Sequence, residues 1–118
     1  MSVRIVALVP DLMVAVRLRE AGKRAGTRVD LAESEEELLQ RLQSGEVTAI
    51  VLDLGVLALD LRAIATAAHE HGVPALAFGP HVDRARLKAA REAGIEQVYA
   101  RGKFLRDLAA ILRGAASA

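Results

Sequence analysis

The sequence predicts an α/β fold of the doubly wound kind: a five-stranded parallel sheet with helices on both faces. Two observations carry that expectation. Short runs of aliphatic and β-branched residues alternate five times with segments whose apolar residues recur at helical spacing. The third run, residues 48–53, is apolar at nearly every position, as a central parallel strand covered on both faces must be. Alternation of this sort joins parallel strands through right-handed crossovers, which distributes the helices over the two faces of the sheet.

Residues 3–9 form the first strand, stopped by Pro10, which cannot continue a ladder. A helix follows from Asp11 as N-cap, with Val14, Leu18, Ala21 and Ala25 on one side and Arg17, Glu20, Lys23 and Arg24 away from it, closing near Gly22 or Gly26. Residues 28–32 make a short second strand. Ser34 and Glu37 have the spacing of a capping box before Leu38, Leu39 and Leu42, and that helix closes at Gly45. After the third strand, a helix runs from about residue 57 to 71 and stops at Gly72. Residues 73–78 give the fourth strand, about 82–93 the fourth helix ended by Gly94, 97–100 the fifth strand, and about 104–113 the last helix. Residues 114–118 read as a frayed tail.

Length and composition narrow the function classes. With 118 residues, the expectation is a single domain over 1–118, with a core of ordinary size and no room for a second module. Basic and acidic residues nearly cancel, to a formal net charge of +1, so nucleic acid is not an expected partner. No apolar run approaches the roughly 20 residues of a bilayer span, and residues 3–9 lack the features of a secretion signal. The expectation is therefore a cytoplasmic protein with no membrane partner. There is no cysteine, which removes disulfides, thiolate nucleophiles and sulfur-ligated zinc. No Gly-x-Gly-x-x-Gly, Walker or nucleophile-elbow sequence is present, and the chain is not expected to be an enzyme.

In an open parallel sheet, functional groups collect at the carboxyl ends of the strands. That rim receives Pro10 and Asp11, then Asp53 and Gly55, then Gly79, Pro80 and His81, and finally residues 101–103. His69 and His71 lie two apart on a helix and cannot share a face, while His81 follows Pro80 in a loop. All three are expected to be surface residues and not metal ligands.

Along essentially its whole length the chain resembles the response-regulator receiver domains, the CheY-like family. Ile5-Val6-Ala7-Leu8-Val9-Pro10-Asp11 resembles the family's first strand, and Ala49-Ile50-Val51-Leu52-Asp53-Leu54 its acceptor strand. Val73-Pro74-Ala75-Leu76-Ala77-Phe78-Gly79 and Ala93-Gly94-Ile95-Glu96-Gln97-Val98 resemble the segments of the fourth and fifth strands. The resemblance implies a flavodoxin-like strand order, 2-1-3-4-5. It also implies that Asp53 is the phospho-acceptor candidate, that Asp11 and Asp53 form the acidic pocket, and that Gly79 and Arg101 match the family's Ser/Thr and Lys positions, with Lys103 as the substitute if the loop has slipped.

The departures from the family pattern bear on function. Pro10 stands where a second acidic residue is usual, so Asp11 and Asp53 alone would hold Mg²⁺, and weakly; otherwise no cofactor is expected. Gly79 offers no hydroxyl. Arg101, with its planar fork, could pair with Asp53 and neutralise the pocket without metal or phosphate, the alternative being an Arg101 in solvent with Lys103 turned inward.

The resemblance with these departures implies a receiver-like signal-transduction or protein-docking module whose phospho-acceptor site is degraded, a pseudo-receiver in two-component signalling. The alternative is a phospho-accepting single-domain response regulator that uses Asp53. The partner would be a protein, a kinase or an output protein. A homodimer through helix four, strand five and helix five is the further expectation, because that face would carry Arg84, Lys88, Arg91, Glu92, Tyr99, Arg106 and Asp107 among Ala85, Ala89 and Ala110.

Overall fold

The computed structural model describes residues 4–56 and 58–116. Five strands, β1 (Arg4–Leu8), β2 (Arg28–Leu31), β3 (Ala49–Asp53), β4 (Ala75–Gly79) and β5 (Gln97–Ala100), pair in parallel in the order β2-β1-β3-β4-β5. This is the flavodoxin-like order. Between them run α1 (Leu12–Arg24), α2 (Glu35–Gln43), α3 (Leu61–Glu70) and α4 (Arg84–Ala93), and after β5 come α5 (Arg101–Arg106) and α6 (Leu108–Ala116).

Side chains that alternate along each strand separate the core into two layers. Val6, Leu8, Ile50, Leu52, Ala75 and Ala77 meet Leu38 and Leu42 of α2, Ile64 and Ala68 of α3, and Leu87 and Ala90 of α4. Ile5, Ala7, Val51, Leu76 and Phe78 face the other way, onto Val14 and Leu18 of α1, Phe104 of α5, and Leu108 and Leu112 of α6. β3 and β4 are buried at every residue, which explains their unbroken apolar sequence. Phe104 is fully buried and stacks on Phe78, with ring centroids 4.6 Å apart.

Side-chain caps set the starts of α3 and α4 and correct the two boundaries expected there. Asp60 accepts from the Ala63 amide, so α3 begins at Leu61 and not near 57; residue 57 itself lies outside the described residues. Asp83 accepts from the Arg86 amide and starts α4 at Arg84, leaving Val82 in the preceding loop. The expected single helix at 104–113 is two helices that part at Asp107, and the tail expected to fray is helical through Ala116. Residue 3, expected in the first strand, lies outside the described residues.

One charged group is buried in the edge strand β2. Asp30 lies 2.8 Å from Arg28 Nε, 3.1 Å from Arg4 Nε and 3.3 Å from Arg41 Nη1. Burial pushes its carboxyl upward, but the Arg28 hydrogen bond and charge, with Arg4 and Arg41 behind them, outweigh that and hold the pKa below the ordinary value. This cluster ties the starts of β1 and β2 to α2. No helix among the described residues is long and apolar enough to cross a membrane.

Candidate functional site

β1 and β3 are hydrogen-bonded neighbours, so their carboxyl ends bring Asp11 and Asp53 to one rim of the sheet. The two carboxylates are used differently. Oδ1 of Asp11 caps α1, accepting from the amides of Met13 (2.9 Å) and Val14 (3.3 Å). Its Oδ2 accepts from Arg101 Nη2 at 3.0 Å. The Arg101 hydrogen bond, followed by that from the Val14 amide, holds the Asp11 carboxyl below its usual pKa.

Asp53 ends β3 and is only 8% exposed. Its Oδ1 accepts from the Gly55 amide at 2.8 Å, closing a tight turn immediately after the strand. Glycine suits that turn, because a Cβ at position 55 would stand 3.0 Å from the same oxygen. Among the described residues no cation forms an ion pair with Asp53. The expected Arg101–Asp53 contact is therefore corrected: Arg101 begins α5, beside the start of α1, and its guanidinium goes to Asp11. Lys103 does not turn inward either; it lies 3.7 Å from Asp107, the residue that ends its helix.

Gly79 is buried at the end of β4, and more than a missing hydroxyl distinguishes it. A Cβ there would stand 3.2 Å from Leu54 Cβ and 3.5 Å from both Leu54 Cδ1 and Leu87 Cδ2. The space a serine or threonine side chain would enter is filled by leucine.

Sequence reasoning missed Arg86. From the first turn of α4 its guanidinium reaches the β3–α3 loop, where Nε donates to the Leu54 carbonyl and Nη2 to the Val56 carbonyl at 2.6 Å. The loop after Asp53 is thus held from both sides, by the Asp53 carboxylate on the Gly55 amide and by Arg86 on the flanking carbonyls. Ala58, farther along, holds φ at 64°, a left-handed conformation that costs a non-glycine residue roughly 1 to 2 kcal/mol. A signal existed in the sequence: Arg84 and Arg86 place two cations, and no acid, in the first turn of α4, where the helix dipole disfavours positive charge.

The three histidines are exposed, as expected, and the described residues hold no cluster of three or more His, Cys, Asp or Glu able to share a metal ion. The donor set does not fit a firmly held Mg²⁺, which the receiver fold would imply. Pro10 has no side-chain oxygen, both oxygens of Asp11 are engaged, and one oxygen of Asp53 already accepts from Gly55.

No protein-family model matches the sequence, and neither does any curated protein. Solved structures do match. A response regulator from Thermotoga maritima superposes with a TM-score of 0.80 over 100% of both chains at 15% identity. The chain has the receiver fold. An orphan response regulator of H. pylori gives 0.79 at 14% identity, over 98% of this chain and 97% of that one. A protein from Burkholderia pseudomallei described as pilus assembly-related gives 0.72 at 24% identity, over 98% of this chain and 90% of the other. The receiver fold positions Asp53 at the end of the central strand; what Asp53 does there depends on the neighbours described above.

Proposed function

We propose that this chain is a receiver-like signalling or docking module that presents a fixed surface to a protein partner in the cytoplasm, with phospho-acceptor chemistry at Asp53 degraded and no catalysis of its own. One observation carries the reading: Asp11, which shares the rim of the sheet with Asp53, has Oδ1 committed to the α1 cap and Oδ2 to Arg101. A cation bound there would compete with, and be repelled by, a guanidinium that cannot lose its proton. The leucine-filled space beside Gly79 and the Arg86 grip on the β3–α3 loop point the same way, since both oppose rearrangement of the rim.

The second reading is a phospho-accepting regulator that uses Asp53, favoured by that residue's place at the carboxyl end of β3 and by an Oδ1 occupied only by a local amide. Intact mass after incubation with Mg²⁺ and acetyl phosphate separates the two. The docking reading expects no adduct and only slight amide shifts at Asp11 and Asp53 on Mg²⁺ titration. A stoichiometric adduct that disappears in Asp53→Asn would establish the second reading instead.

A homodimer through α4, β5 and the α5–α6 pair is the third arrangement to consider. Several charges on that face already have partners in the chain: Lys88 with Glu92 at 3.7 Å, and Lys103 and Arg106 with Asp107 at 3.7 and 3.9 Å. Such exposed pairs are weak and could be exchanged for contacts across a dimer, but this face is predominantly basic, with Arg84, Lys88, Arg91 and Arg106 against Glu92 and Asp107, so a second copy would meet it largely with like charge.

A further inference from the structure

We propose that the cleft at the carboxyl ends of β1 and β2 binds a small amphipathic zwitterion, a free α-amino acid with an apolar side chain, held between Arg19 and Glu33. This binding activity is separate from the docking role and does not depend on what Asp53 does.

The cleft is built from the ends of three strands. Val9 and Pro10 leave β1, Leu31 ends β2 and Ala32 follows it, and Val56 comes across from the β3–α3 loop; together they wall a space of about 470 Å³. That volume lies in the range of small-molecule sites, roughly 300 to 1,000 Å³. Neither Asp11 nor Asp53 lines the cleft, so a ligand there disturbs neither the α1 cap nor the Arg101 pair.

Its walls are fixed before any ligand arrives. The Ala32 amide donates to the Ala7 carbonyl at 2.8 Å, which carries the β1–β2 ladder one residue past Leu31. On the other side the Val56 amide donates to the Asp53 carbonyl at 3.1 Å, while the Val56 carbonyl accepts from Arg86 Nη2 at 2.6 Å. Val9 and Ala32 are buried and belong to the two core layers, so the floor of the cleft is continuous with the core. A preformed apolar floor lowers the ordering cost of binding.

Two ionised side chains of opposite sign border this apolar space, Arg19 from α1 and Glu33 from the segment after β2. Elsewhere in the chain such groups find each other, as Arg101 finds Asp11 and three arginines find Asp30. Here they do not. Glu33 is anchored through its backbone, whose amide donates to Glu37 Oε2 at 3.2 Å, and among the described residues neither its carboxylate nor the Arg19 guanidinium makes an ion pair. One cation and one anion held apart over aliphatic walls complement a molecule that carries both charges and an apolar body. Its carboxylate takes the planar fork of Arg19, its ammonium takes Glu33, and its side chain lies on Val9, Leu31 and Val56.

Other ligands match less of this surface. A simple anion meets Glu33 with like charge, an organic cation meets Arg19 in the same way, and a metal ion finds a single carboxylate. The neighbouring cleft farther down β2, bordered by Arg19, Lys23 and Arg28, has three cations and no acid, so it attracts any anion and selects none.

The test uses the isotopically labelled full chain, titrated with L-leucine and L-phenylalanine. Three analogues each lack one feature: leucinamide the carboxylate, N-acetyl-L-leucine the ammonium, and L-serine the apolar side chain. The expected result is saturable amide shifts at residues 9, 19, 31–33 and 56, with a dissociation constant on the order of a millimolar, because exposed charges contribute modestly. Each analogue should bind about fivefold more weakly. Arg19→Gln should weaken leucine about fivefold and leave leucinamide unchanged, and Glu33→Gln should weaken leucine similarly and leave N-acetyl-leucine unchanged. Both side chains are exposed, so unchanged melting temperatures would certify that the variants fold. The proposal is overturned by absence of saturable shifts with both amino acids, by analogues that bind as well as leucine, or by shifts centred on Lys23 and Arg28. Leucine binding that is indifferent to both substitutions would overturn it as well. Phosphate uptake at Asp53 would overturn the degraded-site reading and leave these outcomes untouched, whereas loss of leucine binding with Asp53 inert would overturn only the present inference.

Discussion

Arg101 Nη2 lies 3.0 Å from Oδ2 of Asp11, and the other oxygen of the same carboxylate caps α1, so one side chain joins the start of the first helix to the segment after the last strand. The pair lowers the Asp11 pKa, which fixes the sign of its pH dependence. A depressed folded-state value favours the folded protein above the ordinary carboxylate range, and that contribution is lost as the pH falls through the lowered value. Arg101→Ala should move the Asp11 carboxyl back toward its ordinary value in a carboxyl-detected NMR titration. In double-mutant cycles Arg101→Ala should couple to Asp11→Asn and be additive with Asp53→Asn. Coupling to Asp53 and not Asp11 would refute the observed pairing.

Replacing Gly79 by serine should not restore an active site. The new Cβ would press on Leu54 at 3.2 Å, and overpacking of a buried strand end outweighs the modest gain from removing a glycine. The expected loss is about 1 kcal/mol in urea unfolding, with no gain in acceptance of phosphate from acetyl phosphate. A stabilised variant that takes up phosphate would show that the leucines yield easily.

Arg86 should govern the order of the β3–α3 loop. Arg86→Ala removes two charge-assisted bonds to the Leu54 and Val56 carbonyls. Part of that loss is offset by water and by relief of the cation at the α4 N-terminus, leaving about 1 kcal/mol of net destabilisation. Hydrogen exchange at residues 54–56 should accelerate about tenfold while the amides of β3 stay protected. Arg86→Lys should not rescue it, because a single ammonium lacks the fork that spans both carbonyls.

Acid should find the Asp30 cluster. The three arginines hold its carboxyl below the ordinary value against the opposing effect of burial, so the cluster stabilises the fold above that value and ceases to do so as the pH falls through the lowered one. Asp30→Asn should cost about 2 kcal/mol near neutral pH, since it leaves Arg4 and Arg41 facing an uncharged amide. The gap between variant and parent should close toward pH 2. A gap that persists in acid would assign the loss to packing and not to charge.

The sequence by itself determined the sheet and its layers. Alternation within strands and helical spacing between them are local properties of the chain, and so are the Asp11 and Ser34 caps, which depend on side chains reaching amides two or three residues ahead. The helix starts at Leu61 and Arg84 were equally local, legible in Asp60 and Asp83, yet the apolar residues before them drew the expected boundaries too early. Tertiary structure alone decided the partners at the rim. Arg101 and Asp11 stand ninety positions apart, Arg86 and Leu54 thirty-two, and Asp30 gathers arginines from β1, β2 and α2. Counting residues places a guanidinium at an edge of the sheet but gives no direction for its long side chain, so Asp53 and Asp11 were equivalent targets until the packing of α5 against β5 aimed Arg101 at one of them. The cleft bordered by Arg19 and Glu33 was hidden for a similar reason: the two residues belong to different elements and border one space only because α1 packs against β2.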